Sequence, residues 1–145
     1  MDIFRTAKDD NGLSIEEIKA ALIEALEGRR LNKVLLVPPD FTRFHSNAGL
    51  ISNFCYTYLT AKGVEVDVLP ALGTHVPVSE SQWKTMFGEI PYDRMIVHNW
   101  RTDVVKLGDI PADVVSEISE GLWKTSLAVE INKLVMDPKY DLVIS

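Results

Sequence analysis

The chain has 145 residues, of which 46% are hydrophobic and 25% are charged, and its formal net charge is −6. This length and composition fit one globular domain with a buried core. The acidic balance, without a basic stripe, argues against nucleic acid or an anionic membrane as the main partner. No apolar run approaches the ~20 residues of a membrane span, and residues 1–10 lack the apolar stretch of a signal peptide. We therefore expect a cytoplasmic protein.

The first predicted elements are a helix and a buried strand. Ser14 and Glu17 form a capping-box pattern ahead of apolar residues at helical spacing, and Gly28 is a natural helix stop. Residues 33–37 are a short, mostly apolar run, which is typical of a strand covered on both faces. Two prolines, residues 38 and 39, end this strand because proline cannot donate to a sheet ladder.

The middle of the chain repeats this alternation. Ser46 is the predicted N-cap of a second helix, which Gly63 closes. Residues 64–72 alternate as a second strand does, and Ser79 with Gln82 forms a second capping box after a loop. Residues 94–100 are predicted to be a third strand.

The last third of the chain has shorter and less regular patterns. Residues 113–118 and 125–131 have strand-like composition, residues 132–137 suggest a short helix, and residues 140–145 form a last strand. The alternation predicts one α/β domain over residues 1–145, with a parallel or mostly parallel sheet and helices on both faces. A strand pattern at the very end, with no turn or closing helix after it, suggests that this chain is a piece of something longer.

Polar side chains follow three of the predicted strands. Asp40, Thr42 and Arg43 follow the first strand, His75 follows the second, and His98 lies at the end of the third. Because the carboxyl ends of parallel strands meet at one sheet edge, where ligands bind, we expect Asp40 and His75 to be near neighbours.

Each of these residue types suggests a role. Arg43 precedes a helix and suits a carboxylate or phosphate, whereas Asp40 can orient either Arg43 or an imidazole. Thr42 can bond a ligand or its own backbone. His75 is the candidate acid/base because imidazole titrates near neutral pH. His98 is either a site residue or a structural one.

Three segments together resemble the N-terminal domain of the nickel-dependent lactate racemase family. They are residues 39–49 (PDFTRFHSNAG), 71–77 (ALGTHVP) and 98–111 (HNWRTDVVKLGDIP). The resemblance runs from about Lys33 to the end of the chain. The D-x-T-R and L-G-T-H motifs in this order and spacing carry it.

The resemblance implies a racemase or epimerase of 2-hydroxy acids or sugar acids, in which a nickel pincer nucleotide accepts a hydride from C2. It makes His75 an acid/base group, and Arg43 a contact to the substrate carboxylate or the cofactor. Asp40 and Thr42 match the remaining motif positions. Pro39 stands where family members often carry serine, which suggests a different substrate.

The resemblance also implies that residues 1–145 are the N-terminal catalytic domain of a longer, two-domain enzyme, so that part of the site lies elsewhere. The second histidine, the cofactor lysine and the nickel ligand fall beyond residue 145, and a C-terminal domain adds substrate contacts. This chain would then hold no metal site, bind the cofactor weakly and be inactive alone.

Two other functions fit the same residues. A non-catalytic anion-binding or assembly domain would also need Arg43. A metal-dependent hydrolase could use His75, His98 and Asp40 as a two-histidine, one-carboxylate set, since the residue types suit a metal although no local ligand pair exists.

Overall fold

The computed structural model describes residues 3–145 as a small parallel sheet with helices and a separate two-stranded sheet. The helices are α1 (Ile15–Leu26), α2 (Ala48–Ala61), α3 (Glu80–Phe87) and α4 (Ala112–Ile118). The strands are β1 (Lys33–Leu36), β2 (Glu65–Val68), β3 (Val104–Ile110), β4 (Leu127–Asn132) and β5 (Leu142–Ile144). Short 3₁₀ turns span Phe41–Ser46, Tyr92–Arg94 and Lys133–Met136.

The central strand of the parallel sheet is β1, which pairs with β2 on one side and with β5 on the other. The helices α1, α2 and α3 pack on one face, where Val34 and Leu36 join Trp83 and Phe87 in the main core cluster. On the other face, Leu35 lies in a second cluster that includes side chains of the Lys133–Met136 turn. The α/β class and the parallel sheet are confirmed.

Both predicted capping boxes are present, at Ser14 and at Ser79. The predicted N-cap of the second helix is wrong, because α2 begins one residue later, after Asn47. The chain first turns through the 3₁₀ segment Phe41–Ser46, and Asn47 then takes a left-handed conformation, with φ of 61°, to enter the helix. Asparagine is one of the few residues that adopts this conformation readily.

The predicted strand at residues 94–100 is also wrong. It consists of one bridge between Met95 and Val68, with a hydrogen bond from Ile96 N–H to the Val68 carbonyl. Beyond it, the backbone N–H groups of Thr102 and Asp103 both bond to the Asn99 carbonyl. This local turn removes the segment from the sheet.

Residues 113–118, predicted to be a strand, lie in α4, and β3 was not predicted. Pro111 precedes α4 as its N-cap. The segment forms helical hydrogen bonds although its β-branched residues favour a strand. Strands β3 and β4 pair antiparallel, which confirms the predicted strand at residues 125–131. No residue from 91 to 139 is buried, so this part of the chain adds little to the core.

Helices α2 and α3 approach closely at Gly49. A Cβ atom at this position would lie 2.1 Å from the Met86 carbonyl oxygen, so only glycine fits.

Cys55, also on α2, is buried as its apolar setting predicts, and burial raises the pKa of its thiol to about 11. Within residues 3–145, the structure has no helix with the length and apolar character that a membrane span requires.

Candidate functional site

The pairing of β1 with β2 continues past both strands and sets the position of Asp40. The Ala71 N–H donates to the Pro38 carbonyl at 2.8 Å, and Pro39 forms a parallel bridge with Ala71. Because Asp40 directly follows this bridge, its carboxylate lies at the carboxyl edge of the sheet, beside the chain that leaves β2.

A tight turn then brings His75 back toward Asp40. The His75 N–H donates to the Leu72 carbonyl at 2.9 Å, and Gly73 lies within the turn with φ of +56°. A residue with a Cβ atom is strained in this left-handed region, so glycine suits the turn. The result is a hydrogen bond between His75 Nδ1 and Asp40 Oδ2. The two residues predicted to be neighbours are therefore in contact.

The Asp40 carboxylate is buried but well supplied with donors. Its residue is 6% exposed, and its Oδ1 accepts from the Thr42 N–H at 3.1 Å and the Thr42 hydroxyl at 2.5 Å. Burial alone would raise the pKa of Asp40, but the hydrogen bonds from Thr42 and His75 outweigh it and hold the pKa below its usual value. Asp40 is therefore ionised at neutral pH.

The ionised carboxylate fixes the tautomer of His75. A carboxylate can only accept hydrogen bonds, so Nδ1 of His75 carries the proton that joins it to Asp40. In the neutral ring, Nε2 then has a free lone pair and can take up a proton. The side chain of His75 is 56% exposed, so this nitrogen is accessible.

A cavity of about 350 Å³ adjoins the pair. This volume is within the range of small-molecule sites. Its walls come from the loop after Asp40, from the loop after β2 and from α3, and they include Phe41, Thr74, Val76, Pro77, Val78 and Gln82. The arrangement can hold a small molecule beside a buried anion and an accessible base.

The structure does not bring Arg43 into this cavity. Its backbone N–H donates to the Asp40 carbonyl at 3.0 Å, but its side chain is exposed and makes no ion pair within residues 3–145. His45 is exposed as well and lines a different depression, with residues of α2 and α3. Thr42 contributes its hydroxyl to Asp40 rather than acting alone.

His98 belongs to a different place. Its Nδ1 lies 2.8 Å from Asn132 Nδ2, and it lines another cavity, between the parallel sheet and the two-stranded sheet of β3 and β4. Across residues 3–145, no three histidine, cysteine, aspartate or glutamate side chains are grouped so that they could hold a metal ion. The predicted set of His75, His98 and Asp40 is therefore not assembled as a metal site within residues 3–145.

Sequence reasoning missed two residues of these sites. Gln82 lines the His75 cavity, but its pattern indicated only a helix cap, which it also forms. Asn132 is the partner of His98, yet it lies 34 residues away. Its place directly after the strand predicted at residues 125–131 is the signal that could have found it.

Comparison with known proteins yields one structural neighbour to report. No family model matches the chain, and no curated protein matches it. The chain is similar to a Thermotoga maritima protein solved by the Northeast Structural Genomics Consortium, with a TM-score of 0.78 and 26% sequence identity. The match covers 97% of this chain and 34% of that protein, so the chain spans about a third of its length. The name of that structure states no activity, and the similarity supports the α/β fold.

Proposed function

We propose that this chain is the N-terminal domain of a racemase or epimerase of 2-hydroxy acids or sugar acids, with His75 as an acid/base group. The observation that carries the proposal is the hydrogen bond between His75 and the buried Asp40. It accompanies the two motifs that resemble the lactate racemase family.

His75 is suited to exchange a proton with the C2 hydroxyl of such a substrate. Its Nε2 lone pair accepts the hydroxyl proton as the C–O bond becomes a carbonyl, and the imidazolium that forms faces the Asp40 carboxylate. The ion pair stabilises the charged ring, and the same Nε2 returns the proton when the alcohol re-forms. Asp40 is a positioning residue, since it acts through His75.

Arg43 is the candidate partner for the substrate carboxylate or for a phosphate. It is a free cation within residues 3–145 and lies three residues after Asp40. Its guanidinium has the planar fork that pairs with carboxylates and phosphates. Because it does not line the cavity, this role requires its side chain to swing toward the ligand.

The hydride that leaves C2 needs an acceptor, which the resemblance assigns to a nickel pincer nucleotide. Residues 3–145 do not fit a nickel site of their own, because they group no three metal-ligating side chains. On this proposal, residues outside this chain hold the cofactor, and this chain supplies the proton chemistry.

The test is turnover by the complete, cofactor-loaded enzyme on single enantiomers of lactate and of several sugar acids in D₂O. We expect inversion at C2 without deuterium incorporation there, and a loss of about 100-fold to 10,000-fold in kcat for His75→Ala. His45→Ala is the matched control and should keep full turnover. Wild-type turnover in His75→Ala, or no inversion of any acid by the wild type, would contradict the proposal.

A further inference from the structure

A second cavity, of about 380 Å³, lies at the carboxyl ends of β1 and β5. We call it the His98 cavity, and its walls include Val37, Ala71, His98, Val104, Ile131 and Val143. The chain leaves β1 to form β2 on one side and later returns to form β5 on the other. In open α/β sheets, ligands bind in the crevice where the strand order reverses in this way.

The tautomer of His98 follows from the hydrogen bonds of Asn132. The Leu134 N–H donates to Asn132 Oδ1 at 2.9 Å, which identifies the oxygen end of this amide. The other end, Nδ2, is therefore a donor, and it lies 2.8 Å from His98 Nδ1. Nδ1 must accept, so the neutral ring carries its proton on Nε2.

The polar part of the cavity wall comes from His98, Glu130, Asn132 and Ser145. Among these, the Nε2–H group of His98 is the donor on which the inference rests. No bond from it to another group is present within residues 3–145, and the ring is half-buried. Most of the lining is apolar, with Val37, Ile131 and Val143 prominent. Such a cavity favours a molecule with an apolar body that presents one acceptor to the ring.

The charges around the cavity further restrict the class of ligand that it can bind. Glu130 is the charged residue at its wall, and neither lysine nor arginine lines it within residues 3–145. An anionic ligand would meet a like charge with no compensating cation.

We propose that the His98 cavity binds a small uncharged molecule whose apolar body fills the crevice and whose carbonyl-type oxygen accepts a hydrogen bond from His98 Nε2–H. This goes beyond the function proposed for His75 and does not depend on it. The two sites share a loop, because Gly73 lines the His98 cavity while Thr74 and His75 line the other.

Three probes with the same ring test this proposal by NMR: benzamide, toluene and benzoate. We expect benzamide to give saturable shifts at the Val37, Ala71 and Val143 methyl groups and at the His98 Nε2 proton. Toluene should bind about fivefold more weakly for want of the acceptor, and benzoate more weakly still because of Glu130. Equal affinity for all three, or shifts outside this cavity, would overturn the proposal.

Two substitutions separate the hydrogen bond from the shape of the cavity. His98→Gln keeps an N–H donor near the position of Nε2, and we expect it to retain benzamide binding. His98→Asn is too short to donate there and should bind about fivefold more weakly. Benzamide binding to His98→Asn at wild-type strength would contradict the inference.

Two further measurements keep the test independent of folding and of the proposed enzyme. The imidazole ¹⁵N spectrum of the unmodified protein should show His98 protonated at Nε2, and a ring protonated at Nδ1 would overturn the proposal. His75→Asn should leave the benzamide titration unchanged, whatever it does to turnover. A failure of the racemase proposal is thereby distinguishable from a failure at His98.

Discussion

His75 follows β2, and His98 follows the bridge between Met95 and Val68, so both lie at the carboxyl edge of the parallel sheet. The Nδ1 atom of each ring is hydrogen-bonded to a residue distant in sequence. His75 contacts Asp40, 35 residues away, and His98 contacts Asn132, 34 residues away. The partner of the first is a carboxylate, which only accepts. The partner of the second is an amide nitrogen, which donates. The two rings therefore carry their protons on opposite nitrogens, and only His75 offers a lone pair at Nε2.

This difference shows how one side chain can serve two chemistries in a small domain. The ring is the same, and the choice between base and donor is made by a partner that has nearly the same shape in both cases, since aspartate and asparagine differ by one atom. A single substitution at either partner should therefore convert one kind of histidine into the other.

The largest expected effect comes from Asp40→Asn. The new amide can keep the Thr42 hydrogen bonds on its oxygen and donate from its nitrogen to His75 Nδ1, which moves the His75 proton to Nε2. Turnover by the complete enzyme should then fall about 100-fold to 10,000-fold, and ¹⁵N NMR should show His75 with the tautomer now found at His98.

The reciprocal change, Asn132→Asp, is its matched control. It should move the His98 proton to Nδ1 and leave the His75 spectrum and its tautomer as they are. If Asp40→Asn leaves Nε2 of His75 unprotonated at neutral pH, then the hydrogen-bond partner of Nδ1 does not set the tautomer of this histidine.

A smaller effect is expected from Gly73→Ala. An alanine at a φ of +56° costs about 1 kcal/mol in folding free energy, and relaxation of the turn should also loosen the His75–Asp40 hydrogen bond. Gly63→Ala is the control, because Gly63 also has positive φ and an added Cβ meets nothing within 4 Å at either position. Thermal unfolding should shift similarly for both, while the downfield Nδ1 proton of His75 should weaken in Gly73→Ala alone.

The smallest effect is expected from Thr42→Val. This change removes the hydroxyl group that donates to Asp40 and keeps the backbone N–H group that also donates to it. The pKa of Asp40 is lowered by folding, so its ionised form stabilises the protein above the unfolded pKa, and this stability is lost as pH falls through the folded pKa. Thr42→Val should raise that folded pKa and cost about 1 kcal/mol at neutral pH.

The unfolding free energies of the wild type and Thr42→Val should become equal at acid pH. Urea titrations from pH 7 downward measure the difference in unfolding free energy, which should shrink to near zero once Asp40 is protonated in both. Thr42→Ser keeps the hydroxyl and should follow the wild type. A difference that persists unchanged at low pH would mean that the hydroxyl acts on something other than Asp40.

The sequence was most informative where local chemistry and burial act together. Ser14 and Ser79 cap their helices as their patterns indicate. Strand β1 ends at Leu36, shortly before the two prolines, although its pairing with the chain after β2 continues as far as Pro39. The contact of Asp40 with His75 was predictable because parallel strands must align their carboxyl ends. In each case the signal lies within a few residues or follows from the class of sheet.

The sequence was less informative where a local turn or a contact between distant residues decides the secondary structure or the position of a side chain. The segment at residues 113–118 has β-branched residues, yet the helix start at Pro111 prevails. Arg43 lies three residues after Asp40 in sequence but outside the cavity, because it belongs to the 3₁₀ turn and its side chain is exposed. The partnership of His98 with Asn132 depends on a strand, β3, that the sequence pattern did not reveal.

The pairing of β1 with β5 has a consequence for how the protein folds. The Lys33 N–H donates to Asp141 Oδ2 across 108 residues, so the loop that closes the sheet is long. Closing such a loop costs entropy before any contact repays it, and chains rich in distant contacts fold slowly. Val143 of β5 lines the His98 cavity, so that cavity exists only after this last closure. A molecule bound there would slow the departure of β5 and so lengthen the lifetime of the folded state.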